Sequence, residues 1–304
     1  MSPATIQGIL TSSFSDGLIY AFVAVGVFIT FRVLAFPDLT VDGSFVTGGS
    51  IAALMIVGGY NPFLATIAAI GGGLACGAVT GLLNTKLRIS ALLAGILMMV
   101  GLYSVNLRIM SGANIPLLRQ ITIFKSIANF FGTTKSVILV IGILAVLALI
   151  VFMILNWFLR TELGLALRAS GDNEQMIRGL GSDTDKNTII GCSLSNGLVA
   201  LSGALVAQNQ GFCDVNMGIG MIVMGLAAVI IGGALFHPRG VASMLLAALG
   251  GTFVYRLFIT IALRLGLAPG DLKLITAVLV VIALGIPYIQ KKTRREWVPP
   301  AVRF

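Results

Sequence analysis

Charged side chains are scarce in this sequence of 304 residues, because Asp, Glu, Lys and Arg together supply only 10% of it, against about 25% in soluble proteins. It has one histidine, and its three cysteines are scattered without metal-binding or redox spacing. It also contains no Gly-x-x-x-x-Gly-Lys-Ser/Thr phosphate loop and no nucleophile or carboxylate-pair motif of a catalytic site. The sequence therefore excludes a soluble enzyme, a nucleic-acid binder and a secreted disulfide scaffold. It predicts no cofactor and no metal held by this chain.

Apolar residues are correspondingly abundant, at 57% of the sequence with a mean hydropathy of +1.02. A helix that crosses a membrane needs about 20 mostly apolar residues, and the long runs here are apolar on every face rather than alternating as in a barrel. We expect an all-α, polytopic membrane helical bundle of about nine spans, in the range of about eight to ten. The candidate spans are Gly17–Phe36, Gly43–Gly59, Pro62–Leu83, Ala91–Met110, Ser136–Leu159, Thr188–Gln208, Gly220–Phe236, Val241–Leu263 and Leu272–Tyr288.

Positive charges predict how the bundle lies in the membrane, since Lys and Arg collect in cytoplasmic loops. With the C-terminus in the cytoplasm, most of the 20 basic residues fall on the inner side, and the opposite orientation inverts that ratio. Residues 1–290 are then expected to form a single transmembrane domain that is followed by a basic cytoplasmic tail, residues 291–304, and nine spans place the N-terminus outside. The inner-side residues are Arg32, Lys86, Arg88, Arg160, Arg168, Arg178, Lys186, Arg239, Lys291, Lys292, Arg294, Arg295 and Arg303.

Two polar breaks interrupt the apolar runs at corresponding places. Residues 37–44 (Pro-Asp-Leu-Thr-Val-Asp-Gly-Ser) precede one span and residues 213–220 (Cys-Asp-Val-Asn-Met-Gly-Ile-Gly) precede another, and further hydrophobic segments follow each. The match predicts an inverted internal repeat with broken helices, one copy at about residues 15–110 and the other at about 188–289, which is typical of transporters. Chance similarity between two glycine-rich stretches is the alternative.

Polar residues at membrane depth indicate a water-filled path or an interface, because a carboxylate within hydrocarbon costs several kcal/mol. Capping of helices by Asp at the membrane surface, or hydrogen bonding between helices, explains the same residues equally well. The candidate residues of a transport path are Asp38, Thr40, Asp42, Ser44, Asn106, Asn196, Asp214 and Asn216.

The loop at residues 160–187 is the most polar stretch of the chain. It contains nearly half of the acidic residues, namely Glu162, Asp172, Glu174, Asp183 and Asp185. We predict a short helix that begins at an Asp172 N-cap and ends near Leu180. Two turns are marginal in water alone, and Met176, Ile177 and Leu180 share one face, so the helix is expected to dock into a groove on another protein. A solvated loop folded back on the bundle is the alternative.

Four stretches carry a family pattern: residues 17–26 (GLIYAFVAVG), 38–49 (DLTVDGSFVTGG), 163–179 (LGLALRASGDNEQMIRG) and 225–233 (GLAAVIIGG). They resemble the bacterial ABC transporter permeases of the branched-chain amino acid and ribose type, and the resemblance covers about residues 15–290. The loop stretch is the most specific, although Met176 and Ile177 stand where that family commonly has small residues. Residues 103–118 are similar to a subgroup paired with binding proteins proposed for aromatic amino acids (tryptophan or tyrosine).

The resemblance implies the membrane-spanning permease subunit of an importer in the bacterial inner membrane, moving a small polar solute such as an amino acid or a sugar. Its implied partners are membrane lipid, a second permease subunit (expected as a homodimer), cytoplasmic ABC ATPase subunits that bind ATP and Mg²⁺, and a periplasmic or lipid-anchored solute-binding protein. An ion-coupled secondary transporter, with Asp38, Asp42 and Asp214 as ion ligands, is the alternative function. Coupling to the ATPase is expected at Gly171, Asp172, Asn173, Glu174, Met176, Ile177 and Gly179.

Overall fold

Long apolar helices account for nearly all of the regular structure. The structure is a computed structural model that describes residues 3–130, 137–265, 271, 274–278 and 281. Within them, the first helix, Pro3–Phe28, continues directly into a π-helical segment, Ile29–Val33. The helices are α1 (Pro3–Phe28), α2 (Thr40–Val57), α3 (Pro62–Thr85), α4 (Ala91–Met110), α5 (Ile123–Phe130), α6 (Val137–Phe158), α7 (Glu162–Asp172), α8 (Glu174–Gly179), α9 (Thr184–Gln210), α10 (Met221–Phe236) and α11 (Val241–Arg264), and the strands are β1 (Asn114–Pro116) and β2 (Phe212–Asp214).

The helices match the predicted membrane spans. Among the described residues, seven helices are long and apolar enough to cross a membrane, namely α1 with its π-helical extension, α2, α3, α4, α6, α9 and α11, and α10 is a shorter apolar helix. They correspond to the first eight predicted spans, so the expected all-α polytopic bundle is confirmed. α1 begins at Pro3, well before the predicted edge at Gly17, because a proline suits the first turn and the less apolar residues after it continue the helix. The ninth span, Leu272–Tyr288, falls largely outside the described residues, of which 274–278 are helical.

α9 lies at the centre of the bundle, in contact with α1, α2 and α3. Ser195 Oγ donates a hydrogen bond to the Gly26 carbonyl of α1 at 2.7 Å, and Ser202 Oγ donates to the Ile19 carbonyl at 2.8 Å. Since the later residue of α9 contacts the earlier residue of α1, the two helices are antiparallel. Such bonds between helices satisfy hydroxyl groups at a depth where the bilayer supplies no water.

α3 approaches α9 closely enough for their backbones to touch. A Cβ atom added at Gly77 would lie 2.1 Å from the Cys192 carbonyl oxygen, and one added at Gly81 would lie 2.7 Å from the Ile189 Cα. Helices in membranes associate through close van der Waals packing, which small residues on one face permit. This face of α3 therefore leaves no room for a side chain.

The two ends of the bundle differ in structure. At one end, α7 and α8 connect the end of α6 at Phe158 to the start of α9 at Thr184, and we call this end the α7–α8 side. At the other end, β1 pairs antiparallel with β2, with Ile115 opposite Cys213, just after α9 ends at Gln210. We call that end the ribbon side.

α2 begins at the middle depth of the bundle rather than at its edge. Asp38, two residues before α2, contacts Asn196, which lies about 18 Å along α9 from Thr184 at a rise of 1.5 Å per residue. From there α2 runs to the ribbon side, where a Cβ atom at Gly49 would lie 3.0 Å from the Cys213 sulfur.

α10 begins at a similar depth and runs in the opposite direction. Its first turn contacts Asp42 of α2. Near its end, Gly232 lies against Ala247 of α11, whose neighbour Ala248 shares an apolar cluster with Leu167 of α7. The two helices that follow the predicted breaks therefore start inside the bundle and run apart, as an inverted repeat requires. The repeat in the sequence itself stays a prediction.

The contact between α3 and α9 predicts that a methyl group added at this contact lowers the stability of the protein, whereas one added elsewhere on α3 does not. We expect Gly77→Ala to lower the free energy of unfolding by about 1–3 kcal/mol, because the two backbones must separate to admit the Cβ. Gly71→Ala is the matched control, since a Cβ there meets nothing within 4 Å. Thermal unfolding in mild detergent measures both variants, and equal midpoints would contradict the close approach.

Candidate functional site

The first break is organised around the carboxylate of Asp38, which is fully buried. One carboxylate oxygen accepts a hydrogen bond from the Thr40 backbone N–H at 2.9 Å, and the other accepts from Asn196 Nδ2 at 2.7 Å. The local sequence explains the turn, because Pro37 cannot continue a helix and Ala35 adopts a left-handed backbone with φ of 51°. Asp38 thereby satisfies an amide of the first turn of α2 while Asn196 of α9 holds the carboxylate in place.

A buried hydrogen-bond network extends from this carboxylate. Ser44 Oγ donates to the Thr40 carbonyl at 2.9 Å and also contacts Asn196 Oδ1. The hydroxyl groups of Thr40 and Thr80 are 2.8 Å apart. Four predicted path residues, Asp38, Thr40, Ser44 and Asn196, are thus brought together. Sequence reasoning missed Thr80, since a threonine in an apolar helix gives no signal of a partner on another helix.

Asn106 of α4 lies in a separate buried cluster, in contact with residues further along α2. Its Oδ1 accepts from Thr47 Oγ1 at 2.9 Å and from Ser50 Oγ at 3.4 Å, and its Nδ2 donates to the Gly43 carbonyl at 3.2 Å. Asn106 therefore connects α4 to α2 by hydrogen bonds across the helices, which is one of the two explanations that the sequence left open. Thr47 and Ser50 are partners that the sequence did not indicate.

The two polar residues of the second break lie on the ribbon side. Asp214 pairs with Asn114 in the β1–β2 ribbon, and its Oδ1 accepts from the backbone N–H of Asn216 at 2.8 Å in a local turn. Asn216 is exposed. The side-chain hydrogen bond of Asp214 therefore stays within its own segment, and α10 begins several residues later, at Met221.

Asp42 joins the two breaks directly. Its Oδ2 accepts from the Gly220 backbone N–H and its Oδ1 from the Ile222 backbone N–H, each at 2.9 Å. Gly220 has a φ of 90°, a left-handed conformation that favours glycine. Asp42 also lies in the first turn of α2, so one carboxylate faces the positive ends of two helix dipoles. Capping by Asp therefore occurs at depth, between two broken helices, rather than at the membrane surface.

The three break carboxylates bond to different groups and form no shared ion site. Asp38 contacts Thr40 and Asn196, Asp42 contacts the start of α10, and Asp214 contacts Asn216. Within the described residues, no group of three His, Cys, Asp or Glu side chains is placed to hold a metal ion. Asp38 and Asp42 instead contact the first turns of α2 and α10, and Asp214 contacts a local turn.

The predicted short helix on the α7–α8 side exists, but its cap differs from the prediction. Asp172 was assigned as the N-cap and is instead the last residue of α7. Asn173 caps α8, because its backbone is extended and its Oδ1 accepts from the Met176 N–H at 3.0 Å. The chain thus forms two consecutive helices with a sharp turn at Asn173, where the sequence indicated one helix after a loop.

α7 is seated on the bundle, whereas α8 projects from it. A Cβ atom at Gly171 would lie 2.0 Å from the Val33 carbonyl oxygen, so α7 touches the backbone of the π-helical segment. In α8 no residue is buried, and Met176 is 61% exposed. Leu180, directly after α8, is 72% exposed. α8 therefore presents apolar side chains to the surroundings of the bundle.

Backbone amides shape the electrostatics where α9 begins. Asp183 caps α9, and its Oδ1 accepts from the Lys186 backbone N–H at 3.2 Å. That hydrogen bond, reinforced by contact with the Lys186 side chain, holds the pKa of the Asp183 carboxyl below its ordinary value. Asp183 therefore stays ionised and keeps its cap under mildly acidic conditions.

Cys213 lies buried in β2, at the second break. Burial raises the pKa of its thiol to about 12, and the neighbouring Asp214 carboxylate contributes in the same direction. Because the thiolate is the reactive form of cysteine, this thiol is inert near neutral pH as long as the ribbon keeps it covered.

The comparisons with known proteins agree with this architecture. The profile of the family described as "Branched-chain amino acid transport system / permease component" matches residues 9–285. The chain belongs to this permease family. It is accordingly a multi-pass membrane protein and the permease of an ABC transport system of the branched-chain amino acid and ribose type, a component that is not itself catalytic.

Three relatives place the chain within the permease family. It is 42% identical over 297 residues, 97% of each chain, to the tyrosine transport system permease protein of Clostridioides difficile (strain R20291). It is 36% identical over 283 residues, 92% of this chain and 98% of the other, to the uncharacterized protein RP368 of Rickettsia prowazekii (strain Madrid E). The ribose import permease protein RbsC of Escherichia coli (strain K12) is 29% identical over 172 residues, 54% of this chain and 50% of that protein. No solved structure matches the chain.

The environment of Cys213 predicts its chemical reactivity. We expect no maleimide labelling of the native permease at Cys213 at pH 7–8, because with a pKa of about 12 the thiolate is roughly one part in ten thousand at pH 8 and tenfold less at pH 7. Gly112→Cys, placed in the exposed turn before β1, is the positive control and should react fully. Peptide mapping by mass spectrometry measures both sites, and rapid native labelling of Cys213 would contradict the covered ribbon.

The contact between the two breaks predicts a cost for removing its carboxylate. Asp42→Ala leaves the Gly220 and Ile222 amides without their acceptor, and we expect a loss of about 1–3 kcal/mol in the free energy of unfolding. Asp183→Ala is the control, since it also removes a helix cap but at a half-exposed site where water can replace it. Thermal unfolding in detergent should show the larger shift for Asp42→Ala, and equal shifts would show that water replaces the Asp42 carboxylate as easily as that of Asp183.

Proposed function

We propose that this permease is the membrane-spanning subunit of an ATP-driven importer that moves tyrosine or a closely similar amino acid. The observation that carries the proposal is α8, a short helix with no buried residue that presents Met176 beside exposed Leu180, on a chain without a phosphate loop of its own. A separate ATPase subunit that binds ATP and Mg²⁺ would cover this surface. Tyrosine is the first candidate because the relative with 42% identity is named as a tyrosine transport permease.

The proposed orientation puts the α7–α8 side in the cytoplasm of a bacterial cell and the ribbon side outside its inner membrane. The concentration of basic residues on the α7–α8 side, together with the basic C-terminal residues, supports this orientation. A periplasmic or lipid-anchored solute-binding protein would then deliver the solute to the ribbon side. A second copy of the permease and lipid would cover the exposed apolar faces of α4 and α6, where Val100 and Met153 are 61% and 58% exposed.

The proposed mechanism assigns different work to the two polar regions. Residues from Gly171 to Gly179, at the end of α7 and in α8, would receive the motion of the ATPase. The network of Asp38, Thr40, Ser44 and Asn196 would hold the start of α2 beside the path, and Asp42 would hold the start of α10. Because both helices start at mid-depth, a change in their contact would open or close the bundle near its centre.

The docking surface is tested by purification from the native organism with a tag on this chain. We expect an ABC ATPase to copurify with the wild-type permease, and Met176→Glu to lower its recovery by about tenfold or more, as at a well-packed interface position. Ile121→Glu is the matched control, since Ile121 is 59% exposed but lies next to the ribbon. Absence of an ATPase from the wild-type preparation would overturn the proposal.

The solute and the energy source are tested by uptake of labelled tyrosine in cells that carry or lack this chain. Uptake should depend on the chain, should cease when ATP is depleted, and should continue when sodium and proton gradients are collapsed by ionophores. Excess unlabelled tyrosine should compete, and excess ribose should not. Uptake driven by an ion gradient without ATP would contradict the ATP-driven mechanism.

A further inference from the structure

α8 is held in place without an apolar core beneath it. None of its residues is buried, and a cavity of about 350 Å³ lies beside it. On the side of α8, Glu174 and Arg178 line this cavity. The opposite walls come from residues 34–36, from the end of α3 and the connection into α4 (residues 84, 85 and 88–91), and from the first turn of α9. Since α8 borders a cavity on this side, its position must depend on polar contacts.

Those polar contacts centre on the guanidinium group of Arg178. Its Nη2 lies 2.6 Å from Asp185 Oδ1 and 2.8 Å from Glu174 Oε1, and its Nε donates to Thr184 Oγ1 at 2.6 Å. Thr184 Oγ1 in turn donates to Glu174 Oε1 at 3.3 Å. Asp185 and Thr184 form the first turn of α9, so Arg178 connects α8 directly to the central helix of the bundle.

The cluster around Arg178 contributes to the orientation of α8 more than to the stability of the fold. The Arg178 side chain is 42% exposed and that of Glu174 is 60% exposed, and ion pairs between exposed side chains contribute little to stability. Asp185 is more enclosed, at 19% exposed. A planar guanidinium with three fixed acceptors nevertheless sets one orientation of α8 on α9, which a flexible ammonium group would not do.

The other end of this connection is the first break. α9 is a continuous helix from Thr184 to Gln210, and Asn196, about 18 Å from its start, donates the hydrogen bond that holds Asp38. The first turn of α9 and the Asp38 carboxylate, which accepts from the Thr40 N–H at the start of α2, are therefore connected through one continuous helix.

We propose that Arg178 is a positioning residue that ties α8 to α9, so that motion imposed on α8 reaches the Asp38–Asn196 contact. The inference rests on the proposed function, in which an ATPase moves α8. Arg178 is not needed on the docking surface itself, since its guanidinium is directed to Thr184 and Asp185. Loss of the tie should therefore uncouple the two proteins without separating them.

The test reverses the charges of the pair in the complete complex. Arg178→Glu and Asp185→Arg, each alone, place like charges together, and we expect each to lower ATP-dependent uptake of labelled tyrosine by about fivefold or more while the ATPase still copurifies. The double variant restores opposite charges at the same two positions, so uptake should recover to within about threefold of wild type. Such recovery distinguishes an interaction between the residues from two separate local defects.

The matched control is Lys186→Glu, which makes the same change of charge as Arg178→Glu and lies one residue from Asp185. Lys186 is 76% exposed and pairs with Asp183 of its own first turn, so it does not connect α9 to α8, and its substitution should leave uptake within about twofold of wild type. Arg178→Gln, which removes the charge without adding repulsion, covers the case in which Arg178→Glu fails to reach the membrane, and it should also lower uptake.

The outcomes separate the two proposals. If no ATPase copurifies with the wild-type chain, the proposed function is wrong. If the ATPase copurifies and Arg178→Gln transports as wild type, the tie between α8 and α9 is wrong. The tie is also wrong if uptake by the double variant does not recover although its amount in the membrane equals that of the wild type. Loss of ATPase copurification in Arg178→Gln would likewise overturn the tie, because it would place Arg178 in the docking surface.

Discussion

A helix that starts inside a membrane leaves backbone amides without partners, and this constraint organises the centre of the permease. The first amides of a helix have no acceptor within it, and the bilayer core supplies no water. Two carboxylates meet the need here, Asp38 at the start of α2 and Asp42 at the start of α10. Because Asp42 belongs to α2, the same short segment of sequence stabilises both broken helices. The buried carboxyl group of Asp38, which would be costly without partners, is satisfied by the Thr40 amide and by Asn196.

The central position of α9 gives this arrangement its connection to the surface of the protein. α9 touches α1 through serine hydroxyl groups, and α3 through backbone contact. Its first turn carries Asp185, which pairs with Arg178, and its middle carries Asn196, which holds Asp38. One helix therefore links the exposed helix α8 to the first break. A rigid helix with contacts at two points along its length is the simplest physical means of transmitting a displacement.

The sequence predicted those features that depend on local composition. Apolar runs located eight of the spans, and the polar breaks drew attention to Asp38 and Asp42 as residues at unusual depth. It could not predict that Asp42 caps a helix 178 residues later in the chain, because nothing near Asp42 indicates its distant partner. The shift of the cap from Asp172 to Asn173 has a similar origin, since either residue type caps a helix and Asp172 belongs to α7, a helix that the sequence did not indicate. Arg178 was counted as one basic residue of a cytoplasmic loop, and only the fold shows it facing Thr184 and Asp185.

The π-helical segment at the end of α1 has a consequence for how that helix meets α7. A π-helical turn takes in one residue more than an α-helical turn, so the residues after it are rotated by about 100° around the axis relative to an uninterrupted α-helix. In this register Val33 and Leu34 face inward and share an apolar cluster with Leu167, while Arg32 is exposed. Without the additional residue, the apolar side chains of Val33 and Leu34 would face away from α7, and the guanidinium group of Arg32 would face the interior of the bundle. The π-helical turn thus sets the direction, around the axis of α1, in which the chain leaves its first span.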